Sequence, residues 1–193
     1  MKKLRNFIIL ILFILVSFQG LAQEKIERET GVKKEKVPAA AIEFMEDAFE
    51  GARKIKWYYE ETSGKQSYEA KLKWDGRMNS LEFNTKGLIE DIEKEYDFKE
   101  LDPPIQKRLE NWFSSNFLKY KIRKTQQQWT GTPDDLEDAV DENEMDDITI
   151  RYEIEFFGST EEERSLWEGL FDARGNFIEK KKIILRPTDN LNF

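Results

Sequence analysis

Apolar residues recur with two different periods along this chain. After Val37-Pro38, Ile42, Met45 and Phe49 fall at helical spacing, broadened by Ala41, Phe44 and Ala48. That predicts an amphipathic helix ending near Gly51. Period two then takes over: Ile55, Trp57 and Tyr59 share one strand face, and Tyr68, Ala70, Leu72 and Trp74 alternate with Glu69, Lys71 and Lys73. Asp75-Gly76 is a hairpin signal. A third strand from about Arg77 to Phe83, a turn at Asn84–Gly87 and a fourth strand from Leu88 to about Tyr96 complete an antiparallel meander.

The same order returns. Asp102-Pro103-Pro104 can start a helix, and Ile105, Leu109, Trp112, Phe113 and Phe117 follow helical spacing. A strand is expected over about Leu118–Trp129. Ile148, Ile150, Tyr152, Ile154 and Phe156 then alternate with Thr149, Arg151, Glu153 and Glu155, before strands over Ser165–Phe171 and Phe177–Leu185. Tyr68-Glu69-Ala70 is echoed by Tyr152-Glu153-Ile154, and Phe83-Asn84-Thr85-Lys86-Gly87 by Phe171-Asp172-Ala173-Arg174-Gly175. The expected fold is α+β: two tandem repeats, 37–98 and 99–186, each a helix followed by an antiparallel meander. They would form one antiparallel sheet with helices on one face. Residues 131–147 read as an acidic insert in the second repeat, 23–36 as a flexible charged leader and 187–193 as a tail.

Residues 1–22 have a basic start (Lys2, Lys3, Arg5), an apolar run from Phe7 to Phe18, and Gly20 and Ala22 before Gln23. This is the pattern of a cleaved export signal, too short for the ~20 residues of a membrane span. A periplasmic or secreted protein with no stable membrane anchor is expected. Three of the 31 basic residues lie in that segment, leaving 28 against 39 acidic ones. Such an acidic chain is a poor partner for nucleic acid. The absence of Cys and His removes disulfides, thiolate nucleophiles, Cys/His zinc sites and Ser-His-Asp triads.

The two Tyr-Glu strands, the two Phe-Asn/Asp-x-x-Gly turns, Trp57 and the prolines Pro38 and Pro104 together resemble the PepSY-like family. These are small exported bacterial proteins also described as similar to beta-lactamase inhibitor proteins. The resemblance covers about residues 37–185. It implies helices packed on one face of an antiparallel sheet and a periplasmic location, and no established activity. The secreted inhibitors are stapled by cysteines that this chain lacks, so inhibition is not carried over.

Alternation places Trp57, Tyr68 and Tyr152 on the helix-facing side and Tyr58 and Phe157 on the other. Tyr58, Phe157, Trp129 and Trp167 are the partner-binding candidates, because Tyr and Trp are enriched at binding hot spots. Nine carboxylates between Asp134 and Asp147 suggest a solvated loop that could dock a basic partner. Asp141, Asn143 and Asp146 are weak calcium candidates: the loop lacks Gly at its sixth position, and Tyr152 stands at its twelfth, where Glu belongs. Glu60/Glu61 and Glu161/Glu162/Glu163 fall in expected turns, where weak desolvation argues against acid–base catalysis. No enzyme and no cofactor are expected. The reading is a non-enzymatic module that binds an exported or envelope protein or peptide through an open sheet face. The alternative is a small-ligand or calcium-binding protein using 134–147.

Overall fold

The computed structural model describes residues 23–184; residues 1–22, expected as an export signal, and 187–193, expected as a tail, lie outside them. Nine strands among these residues follow one another round a closed barrel in sequence order. They are β1 (Gln23–Val32), β2 (Arg53–Thr62), β3 (Lys65–Trp74), β4 (Arg77–Asn84), β5 (Ile89–Tyr96), β6 (Lys119–Thr130), β7 (Thr149–Ser159), β8 (Arg164–Asp172) and β9 (Phe177–Ile184). Neighbours pair antiparallel except at the closure, where Gln23–Ile26 of β1 run parallel to Lys181–Ile184 of β9.

The closure corrects two expectations. The charged segment read as a flexible leader is instead β1, whose second half pairs with β2 from Glu27↔Thr62 to Val32↔Trp57. It escapes notice in the sequence because none of its described side chains is fully buried, so apolar periodicity is missing. Backbone ladder bonds hold it in place. Consequently the face expected to be open is the inside of a barrel.

Three α-helices among these residues pack outside: α1 (Ala39–Ala48), α2 (Pro103–Asn116) and α3 (Pro133–Asp141). Ala41, Met45 and Ala48 of α1 bury against Trp57, Ala70, Leu81, Phe83 and Ile92 in a first core. Leu109 and Phe113 of α2 bury with Phe117, Ile154, Phe156 and Phe171 in a second. From β2 to β8 the strand face rich in apolar residues therefore turns outward to the helices, and the charged face turns inward.

α3 corrects the reading of 131–147 as a solvated loop. Thr132 and Asp135 form a reciprocal capping box, with Thr132 N donating to Asp135 Oδ2 at 3.0 Å and Asp135 N to Thr132 Oγ1 at 3.2 Å. Leu136, Ala139 and Val140, at i, i+3 and i+4, bury in the first core. The carboxylates around them masked this stripe.

The two Phe-Asn/Asp-x-x-Gly turns are built alike. Asn84 Oδ1 accepts from the backbone N–H groups of Lys86 and Leu88, and Asp172 Oδ1 from those of Arg174 and Asn176. The turns lean on the starts of α1 and α2 respectively: a Cβ on Gly87 would lie 2.8 Å from Pro38, and one on Gly175 would lie 3.3 Å from Ile105. Gly87 has φ +85° and Gly175 φ +79°, so both conformation and space demand glycine.

Candidate functional site

All nine strands send residues into one interior cavity of about 320 Å³, within the ~300–1,000 Å³ range of ligand sites. Nine carboxylates and four cations line it. The strand register sets these acids against one another. Glu29 stands directly opposite Glu60, Glu69 opposite Glu82, Glu82 opposite Asp91, and Glu155 opposite Glu168. Like charges in such positions are destabilising, with Cβ atoms only ~4.5–5.5 Å apart.

Part of this repulsion is met internally. Lys71 Nζ bridges Glu29 Oε1 at 3.0 Å and Glu69 Oε2 at 3.1 Å. Burial opposes the Lys71 charge, but Glu69 and Glu29 outweigh it and hold the ammonium above its ordinary pKa. Lys25 Nζ meets Glu168 Oε2 at 2.5 Å. On the β5–β7 wall the partners are carboxamides: Gln126 Nε2 donates to Glu93 Oε2 at 2.6 Å and Gln128 Nε2 to Asp91 Oδ2 at 3.3 Å. Among the described residues no hydrogen bond or ion pair reaches the Glu153 side chain.

The wall's titration follows from these surroundings. Burial, then the charge of Asp91, pushes the Glu93 carboxyl up to about 8. Burial, then Glu82, raises Asp91 well above the usual range. Burial, then Glu93 and Glu168, does the same to Glu153. Asp91, Glu93 and Glu153 are half-buried: protein surrounds them, and the surface they keep faces the cavity.

The oxygens of Glu29, Glu60 and Glu69 lie within 4.8 Å of one another, a spacing that could hold a metal ion. Lys71 already touches two of the three. Glu60, read from the sequence as a turn residue, is a buried strand residue, 8% exposed.

Of the four aromatic candidates, two lie beside cations that line the cavity, without lining it themselves. Tyr58 lies beside the Glu29/Glu69 pair, with Lys71 Nζ 4.9 Å from its ring centre, and burial followed by Glu29 raises its phenol pKa. Phe157 lies between Arg123 and Arg164, at 5.6 and 5.5 Å. Trp129 and Trp167 require correction as partner-contact residues. Each is 5% exposed on the helix-facing side, in the first and second core respectively. The calcium candidates sit elsewhere, Asp141 closing α3, Asn143 at φ 59° and Asp146 beyond, all exposed.

The inward carboxylate rows were missed because their strands alternate as any half-solvated sheet does. The available signal was Glu153 and Glu155 at successive positions of one strand face.

No protein-family model matches the chain, and neither does any curated protein. Solved structures do. The fold is similar to a DUF2874 family protein from Bacteroides ovatus, with TM-score 0.53 and 12% identity over 81% of this chain and 98% of that one. It is similar to a protein of Bacteroides eggerthii described as periplasmic, with TM-score 0.52 and 12% identity over 76% and 88%. A DUF2874 family protein from Bacteroides uniformis matches with TM-score 0.52 and 13% identity over 76% and 89%. Likeness at this level concerns the fold, and function must be argued from the site. Among the described residues no helix is long and apolar enough to cross a membrane.

Proposed function

We propose that this chain is an exported, non-catalytic binding module that takes a positively charged ligand into its barrel. The directly opposed carboxylates around a ligand-sized cavity carry this reading. A fold tolerates unfavourable local pairing chiefly where function requires it. The carboxylates face one another, an arrangement suited to holding a cation. Export rests on the basic and apolar pattern of residues 1–22 and agrees with the periplasmic description of a structural neighbour. Two PepSY-like repeats would account for the matching turns at Gly87 and Gly175.

Equilibrium dialysis against cationic and anionic probes tests the reading. Expected is saturable, salt-sensitive uptake of cations at one site per chain, lost in a Glu69→Gln/Glu93→Gln double variant. Equal uptake of anions, or cation uptake unchanged in that variant, would sink it.

A second reading keeps an exported or envelope protein or peptide as the partner. Tyr58 and Phe157 favour it, since each packs against a cation that lines the cavity, Lys71 and Arg123, beside which an inserted segment would pass. Tyr58→Ala and Phe157→Ala should then each weaken capture of that partner while leaving the melting temperature nearly unchanged. Calcium held by Asp141, Asn143 and Asp146 would instead raise the melting temperature reversibly, with the effect lost in an Asp141→Asn/Asp146→Asn variant.

A further inference from the structure

We infer that the ligand is an alkylammonium whose charged end is seated between Glu93 and Glu153, entering in exchange for protons. This rests on the cavity being the binding site.

The molecule already shows what its carboxylates can hold. Lys71 places an ammonium group between Glu29 and Glu69 at 3.0 and 3.1 Å, and Tyr58 lends its ring face. The facing wall has the same kind of acceptor without the ammonium. Glu93 receives one carboxamide N–H, from Gln126, and Glu153 receives none among the described residues. The half-buried Glu153 carboxyl lines the cavity with no side-chain donor to it among the described residues. The charged groups facing this pair are Asp91 of β5, Lys124 of β6, Glu168 of β8, Lys25 of β1 and Glu69 of β3. Lys25 meets Glu168 at 2.5 Å, and Lys124 is one charge against several.

Shape favours an amine over a bare metal ion. Leu166, Ile183 and Ile184 give the cavity an apolar strip for methylene groups. A second space of about 140 Å³ shares Lys71, Ser80, Lys124 and Gln126 with it and continues to Met78 and Glu95, so an elongated chain can lie along both. The tight carboxylate trio suited to a metal is engaged by Lys71, and the Gln126 amide group points a donor at Glu93, where a metal would need a lone pair.

Proton exchange follows from burial. A carboxyl that is neutral when the site holds no cation must lose its proton to pair with an ammonium, so binding and deprotonation are linked. Affinity should therefore rise with pH until the wall is ionised and fall again where the amine itself loses charge.

Calorimetric titration with cadaverine, spermidine, a lysine-containing peptide and calcium chloride tests this, run in buffers of different ionisation enthalpy. Expected is amine binding with net proton release, tightening by up to about tenfold per pH unit below pH 8 for one proton released. Glu153→Gln, nearly isosteric, should weaken binding at least about tenfold and reduce the protons released; should it fail to fold, the proton release of the unaltered protein decides. Binding of the peptide alone would assign the ammonium to a lysine of a partner and support the chemistry. Amine binding without proton release would overturn the inference, as would binding of calcium alone, which leaves the cation-binding reading standing. Failure of every cation would overturn both.

Discussion

Lys25, near the start of β1, reaches past β9 to Glu168 of β8, its Nζ 2.5 Å from Oε2. Glu168 is 7% exposed, so the barrel's closure includes a charge pair in its wall. β1 has few apolar anchors, and Lys25→Ala would leave a buried carboxylate without this partner. The expected cost is about 1–3 kcal/mol. Hydrogen exchange should show Lys25 and Ile26 losing protection before the strands under the helices. Uniform protection with unchanged stability would mean that the closure does not depend on this pair.

Stability should fall as pH rises. The Glu93 carboxyl has an ordinary value of 4.5 and is held at about 8 when folded. Between those values the folded protein retains a proton that the unfolded chain has lost, so this contribution is complete below about 4.5 and gone above about 8. Asp91 and Glu153, also raised, act in the same direction. Urea midpoints measured from about pH 5 to about pH 8.5 should decline, and Glu93→Gln should flatten the slope. A rising profile would contradict the buried-carboxylate wall.

Leu136 is 0% exposed under α3. Leu136→Ala should cost about 2–5 kcal/mol in chemical denaturation, as large-to-small core changes do. Exposed Asp141→Asn or Asp146→Asn should stay within about 0.5 kcal/mol. Equal, small effects from all three would return the segment to a loop.

Gly158 makes room for the second core. A Cβ there would meet Phe117 Cδ1 and Cε1 at 2.6 Å. Phe117 in turn packs edge-on against Phe156 at 5.0 Å. Gly158→Ala should lower stability by about 1–3 kcal/mol through overpacking, and Gly158→Ala with Phe117→Leu should recover part of it. An additive double variant would show that the two positions are not coupled.

Local chemistry alone determined much of this protein. Helical spacing located α1 and α2, period-two alternation together with turn signals located β2 to β9, and the Asn84–Gly87 and Asp172–Gly175 turns are where their residues require. Alternation also separated Trp57 and Tyr152, buried, from Tyr58 and Phe157 on the other face. These features are legible because each depends on neighbours within one element. The pairing of β1 with β9 joins residues more than 150 positions apart and is backed by little apolar burial, so no local pattern encodes it. That one closure turned a face expected to meet solvent into the lining of an interior cavity. Glu93 and Glu153 look like ordinary surface acids in the chain; the barrel around them makes their charge costly.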